Sequence, residues 1–205
     1  MKDLYTLFRT SLAGLRVLLL MTVVLGLAYP LVVTGIAQVA LPWRADGSLI
    51  TATGAHTTDR GEAVGSALIG QVSTDDGLFL NRPSAAGDGY DMLATYGTNL
   101  GPLNPDLVAS IEERKAEVAE REGVPGADVP PDAVTSSGSG LDPHISPAYA
   151  EIQVARVAAA QDLSEETVRA LVEEHTDGRT LGVLGEPHVD VLGLNIAVLA
   201  AAGDS

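Results

Sequence analysis

Apolar and small residues run from Val17 to Trp43 without a single charged side chain. A helix over Val17–Ala40 would be about 36 Å long at 1.5 Å per residue, enough to cross a hydrocarbon core of about 30 Å with some tilt. Pro30 sits mid-run, where it removes one helix hydrogen bond and favours a kink. Gly26, Ala28, Gly35 and Ala37 offer small surfaces for close helix contact. Ahead of the run, Leu4, Leu7 (with Phe8), Leu12 and Leu15 recur at helical spacing, so residues 1–16 read as an amphipathic lead-in.

Beyond residue 44 the pattern breaks into short elements. Asn104-Pro105 predicts a capped helix from Asp106 to about Glu122, ended by Gly123, with Leu107, Ile111 and Val118 facing inward. Ser146-Pro147 starts another, to about Asp162, with Ile152, Ala155 and Ala159 as the expected inner stripe. Ser164 caps a third over Val168, Leu171 and Val172, and Val191–Ala201 is apolar enough to be a buried fourth. Strands are expected at Ser66–Gln71, Gly77–Asn81, Ala133–Ser136 and Leu181–Leu184. The fold class is α+β: one N-terminal transmembrane helix (17–41), then a single mixed α/β domain (42–205).

Charge sets the expected orientation. Lys2, Arg9 and Arg16 precede the run, opposed only by Asp3, so the N-terminus is expected inside and the domain outside. The chain has 27 acids and 12 Lys plus Arg, a net charge of −15; four of those bases and one acid lie in residues 1–44, leaving −18 on the remainder. Such a domain repels phosphates, which argues against a nucleic-acid partner. A cleaved signal peptide would need an apolar core of roughly 7–15 residues and a small-x-small site. This run is longer, with Gly35-Ile36-Ala37 its one passable triplet. With no cysteine, the domain rests on its core alone.

Candidate chemistry is sparse. His56, His144, His175 and His188 show no ligand spacing on a helix face, so no metal site is expected. Ser139, His144 and Asp142 could be drawn as a triad, but no strand–nucleophile–helix elbow presents the serine. Thr135-Ser136-Ser137-Gly138-Ser139-Gly140 could form an anion nest, yet it lacks the phosphate-loop lysine and a following helix.

Several loops together carry more. Tyr29-Pro30-Leu31 with Thr34-Gly35, Phe79-Leu80-Asn81-Arg82-Pro83-Ser84, Gly97 to Pro105 (with Asn99 and Gly101) and Thr135 to Pro147 resemble, in order, blocks of the C subunit of the Kdp potassium-transporting P-type ATPase. Ser137, Gly138, Ser139, Gly140, Leu141, Asp142 and Pro143 lie in its most recognisable block. Gln153 with Arg156, Leu163 to His175, Gly185-Glu186-Pro187 and Leu192 to Asn195 complete the match. Leu80-Asn81 replace a frequent aromatic–small pair, Ala155 a frequent proline, and the Asn104–Pro125 helix is acidic.

The resemblance implies a non-catalytic accessory subunit of a high-affinity, ATP-driven potassium uptake complex. Its implied partners are a channel-like potassium-binding subunit, a P-type ATPase subunit and a small membrane peptide, together with lipid. It also implies a catalytic chaperone that raises the pump subunit's ATP affinity, with Gln153 as the matching nucleotide-contacting glutamine. The charge-derived topology opposes that last implication, since Gln153 would lie across the membrane from cytosolic ATP. ATP and K+ are then expected to belong to the complex, and no tightly bound cofactor to this chain. Gly26, Tyr29, Pro30, Thr34 and Gly35 are the expected helix interface. Without the resemblance, the residues also fit an anchored exterior binding or sensing module for a small cationic ligand, or an exported enzyme with an unrecognised site.

Overall fold

The computed structural model describes residues 2–73 and 75–203; Met1, Thr74, Asp204, Ser205 and the side chain of Lys2, one of the flanking cations, lie outside the described residues. The chain divides into two compact units, Met1–Ser48 and Leu49–Ser205.

The first unit is one long helix and a short turn. α1 spans Lys2–Val23, a π-helical turn covers Val24–Ala28, and α2 continues over Tyr29–Ala40, followed by a helical turn α3 at Pro42–Ala45. The lead-in and the apolar run therefore join without a break at Arg16. Pro30 explains the widened turn: its ring collides with the carbonyl four residues back and its nitrogen donates nothing. The chain answers with an i→i+5 bond, Tyr29 N–H to the Val24 carbonyl. The expected kink thus takes the form of a π turn. Asp3–Ala40 is the one helix among the described residues long and apolar enough to cross a membrane.

The second unit is a mixed helix and strand domain. β1 (Leu49–Thr51) sits between β2 (His56–Thr57) and β3 (Ala63–Ser66), all antiparallel. A second antiparallel sheet places β6 (His188–Asp190) between β4 (His144–Ile145) and β5 (Thr176–Asp177). The helices are α4 (Pro105–Glu122), α5 (Pro131–Val134), α6 (Pro147–Gln161), α7 (Glu165–Glu174) and α8 (Val191–Gly203). Three caps form as the sequence predicts: Asn104, Ser146 and Ser164 accept from Asp106 N, Tyr149 N and Thr167 N. Gly123 ends α4 in the left-handed region. Phe79, Val118, Ile145, Tyr149, Val154, Val157, Val168, Val189, Leu194 and Val198 form the core.

Several expectations change. The buried stripe of α6 is Tyr149, Ala150, Gln153, Val154, Val157 and Ala158, while Ala155 and Ala159 are exposed. The phase is set by the large side chains, with a glutamine accommodated by hydrogen bonds. α8 buries Val191, Leu194 and Val198 fully and Leu192, Gly193, Asn195, Ile196 and Ala197 in part, while Leu199 is about half exposed, so its burial is one-sided toward the C-terminal end. The strand placements largely fail. Only Ser66 of Ser66–Gln71 lies in a strand, and Ala133–Ser136 gives way to α5, begun by Pro131. Leu181–Leu184 is a turn closed by a single bridge from Thr180 to Leu184. Gly77–Asn81 joins no sheet, for a reason that defines the site below.

Candidate functional site

The apolar segment Gly77–Asn81 has its backbone groups met by side chains from helices instead of by a neighbouring strand. Phe79 N–H donates to Asn195 Oδ1 (2.8 Å) and Asn195 Nδ2 donates to the Phe79 carbonyl (2.9 Å). Leu80 is held the same way: its N–H donates to Gln153 Oε1 (2.8 Å), and Gln153 Nε2 donates to its carbonyl (3.2 Å). Arg156 Nη1 donates to the carbonyls of Leu78 (3.0 Å) and Asp76, and Gln161 Nε2 to that of Gly77 (3.1 Å). Alternation of apolar residues cannot tell such a segment from a strand, because both present one face to the core.

Gln153 is fully buried and its amide is occupied at both ends. Nε2 also reaches the Tyr149 carbonyl (3.3 Å), and Oε1 also accepts from Arg156 Nη2 (2.8 Å). Arg156 Nε is paired with Glu122 Oε2 at 2.8 Å, and Arg121 Nε with Glu122 Oε1 at 2.6 Å. The Glu122 side chain has no exposed surface, so its charge depends on the two guanidinium groups. Arg121 Nη2 extends the chain to the Tyr149 hydroxyl (3.3 Å). Burial pushes the Tyr149 pKa up. The sequence gives little sign of Glu122, one of many charges on α4; its place in the last turn, ahead of Gly123, is the one distinguishing signal.

The motif loops form a second cluster. Arg82 Nη1 pairs with Asp142 Oδ2 at 3.0 Å and its Nε donates to the Thr135 carbonyl at 3.3 Å. Ser84 Oγ donates to the Gly140 carbonyl (2.7 Å) and accepts from Ala86 N (3.1 Å) and Tyr90 N (2.9 Å). Tyr90 returns its hydroxyl to the Arg82 carbonyl at 2.5 Å. Gly140 adopts φ +69°, and a Cβ there would lie 2.8 Å from Ala86 Cβ and from the Tyr96 carbonyl oxygen. Pro83 lies between Arg82 and Ser84, and Pro143 accepts from Val191 N at 3.3 Å. Asn99 (φ 52°) and Gly101 are exposed.

Charge within this cluster is tightly placed. Burial raises the Asp142 pKa, but hydrogen bonds from His144 and Arg82 outweigh it and hold the carboxyl below its ordinary range. Burial, then the Asp142 charge, pushes the Tyr90 phenol well up.

The drawn triad does not assemble. Ser139 Oγ accepts from Leu141 N (3.2 Å) and faces Ser137 Oγ (3.4 Å), whereas His144 Nδ1 faces Asp142 Oδ1 at 3.4 Å. One amide of the candidate nest is turned inward on the loop itself: Gly140 N donates to Ser137 Oγ at 2.8 Å. His144 and His188 meet edge to face at 4.3 Å, a contact made by the β4–β6 pairing and invisible in their spacing. Among the described residues no group of three or more His, Cys, Asp or Glu could hold a metal ion.

In the first unit, Gly26 and Gly35 are open. A Cβ on Gly26 would meet only Thr22 Cγ2, at 3.9 Å, and one on Gly35 nothing within 4 Å. Tyr29, Pro30 and Thr34 are exposed on the same helix.

Residues 11–200 match the family model described as K+-transporting ATPase, c chain. The chain belongs to the KdpC family. A potassium-transporting ATPase KdpC subunit of Kineococcus radiotolerans is 52% identical over 199 residues, 97% of each chain. That of Caulobacter vibrioides is 52% identical over 179 residues, 87% of each. That of Nitratidesulfovibrio vulgaris is 49% identical over 199 residues, 97% of this chain and 96% of its own. The long helix and the mixed domain are thus those of a family named for a potassium-transporting ATPase.

Proposed function

We propose that this chain is a non-catalytic assembly subunit of a potassium-transporting P-type ATPase, anchored by its helix with the domain outside the cell. The observation that carries the reading is the state of Gln153: it is buried and its amide is occupied by Leu80, Tyr149 and Arg156. A nucleotide would have to displace bonds that hold the core together. Gln153 therefore builds the fold, and any influence on ATP affinity reaches the pump subunit through the assembled complex.

The helix docks through Gly26, Tyr29, Pro30, Thr34 and Gly35 onto the channel-like subunit, where open glycines allow close backbone approach. Basic residues before the span support an inside N-terminus. The acidic domain then enriches cations within a Debye length of about 8 Å near the ion entrance.

The test is recovery of the other Kdp subunits with the tagged chain. Gly35→Leu should cut recovery by tenfold or more, and Gln153→Ala should lower the yield of complex while leaving ATP half-saturation of the recovered complex unchanged. Intact complex with weakened ATP binding in Gln153→Ala would contradict the reading.

A further inference from the structure

Residues 92–104 contain no charged side chain, in a chain where 19% of residues are charged and the net charge is −15. The same stretch exposes four large apolar groups: Leu93 (98%), Leu103 (93%), Met92 (63%) and Tyr96 (57%). Loss of charge with gain of Met and aromatic residues is the composition of an interface centre, not of a solvated loop. Such exposure is also unfavourable in a free soluble surface.

The loop is held in shape. Leu93 N donates to Asp91 Oδ1 (2.8 Å), Ala94 N to the Asp91 carbonyl (3.2 Å), and Asn104 N to the Gly101 carbonyl (2.9 Å). Tyr96 N donates to the Ser139 carbonyl at 3.1 Å, tying the loop to the motif cluster. Gly97 is buried so closely that a Cβ would stand 2.8 Å from the Gly138 carbonyl oxygen. Apolar side chains presented on a fixed backbone lose little entropy when they bind.

Charge decides between lipid and protein. A lipid-surface loop pairs its apolar groups with Lys or Arg that reach anionic headgroups. This one has none, and its flanks are Asp88, Asp91 and Asp106, all exposed. We propose that residues 92–104 are the docking loop of the domain, seated in an apolar socket on a protein partner whose rim is cationic. The proposal rests on the assembly reading above and names the surface and the chemistry of its partner.

The experiment uses the full chain expressed with the other Kdp subunits. The double variant Leu93→Asp, Leu103→Asp should reduce their recovery at least tenfold with an unchanged melting temperature, since both positions are exposed. Separately, a benzophenone amino acid at position 93 should crosslink on irradiation to one of those subunits, which covers the case of a misfolded double variant. Unchanged recovery, or irradiation that joins position 93 to lipid or to nothing, overturns the proposal. Wild-type chain that recovered no subunit would sink the assembly reading as well; wild-type recovery with an indifferent double variant sinks the loop alone.

Discussion

Gln153 and Leu80 meet as the peptide groups of two adjacent strands would, the side-chain amide accepting from the backbone N–H at 2.8 Å and donating to the carbonyl at 3.2 Å. Asn195 repeats the arrangement on Phe79. Two amides from two helices thus replace a strand, and α6 and α8 are tied to the segment that leads into the Arg82 loop.

Removing that clamp leaves backbone groups of Leu80 and Arg156 Nη2 unpaired in a buried place. Gln153→Ala should destabilise the chain by about 3 kcal/mol, since each unsatisfied buried group costs about 1–3 kcal/mol. Thermal or chemical denaturation of the full chain in detergent measures it. A loss under about 0.5 kcal/mol would show that the clamp carries no weight.

Glu122→Gln should cost about 3 kcal/mol or more, because Arg121 and Arg156 lose the one carboxylate between them. Arg156 has only 14% of its side chain exposed, so water compensates poorly. Arg156→Met should be costly on its own, because it also releases the Leu78 and Asp76 carbonyls and Gln153 Oε1. In a double-mutant cycle the pair Glu122→Gln with Arg156→Met should cost less than the sum of the two single changes.

Two neighbouring glycines should behave differently. Gly140→Ala forces an L residue into φ +69° and drives Cβ into Ala86 and the Tyr96 carbonyl, a cost of about 2–4 kcal/mol from strain and overpacking. Gly138→Ala meets nothing within 4 Å and should change stability by less than about 1 kcal/mol. Melting temperatures of the two variants check this directly.

Asp142 should give the domain an acid-sensitive limb. Its folded pKa is lowered, so its contribution is fully present above the ordinary carboxylate value of about 3.9 and disappears as pH falls through the lower folded value. The stability gap between wild type and Asp142→Asn should close as pH falls below about 4. A gap that widened on acidification would reverse the sign assigned here. The Tyr90 phenol, shifted the opposite way, should cost stability only above about pH 10.

How much was legible follows from where each signal lives. Helices α4, α6 and α7 were readable because Asn104, Ser146 and Ser164 act on amides two or three residues away. The strands were not, because β2, β4 and β5 have two residues each, too few to show alternation. The strap at Gly77–Asn81 was hidden for a different reason: its partners lie at Gln153 and Asn195, 73 and 116 residues away from Leu80 and Phe79. Pro30 signalled a break in the helix, but whether it bends or widens depends on how the neighbouring carbonyls are re-paired. The motif cluster was recognisable as loops, and only the fold shows Ser84, Tyr90 and Gly140 closing on one another.

The absence of cysteine allows one direct test of the central claim, that the chain crosses the membrane once and leaves its domain outside. Single variants Leu181→Cys, at an 88% exposed site in the domain, and Tyr5→Cys, near the other end, are treated with a membrane-impermeant maleimide in intact spheroplasts. Labelling of position 181 before permeabilisation and of position 5 only afterwards is the expected result. The reverse order, or protection of both positions until the membrane is opened, would contradict the account.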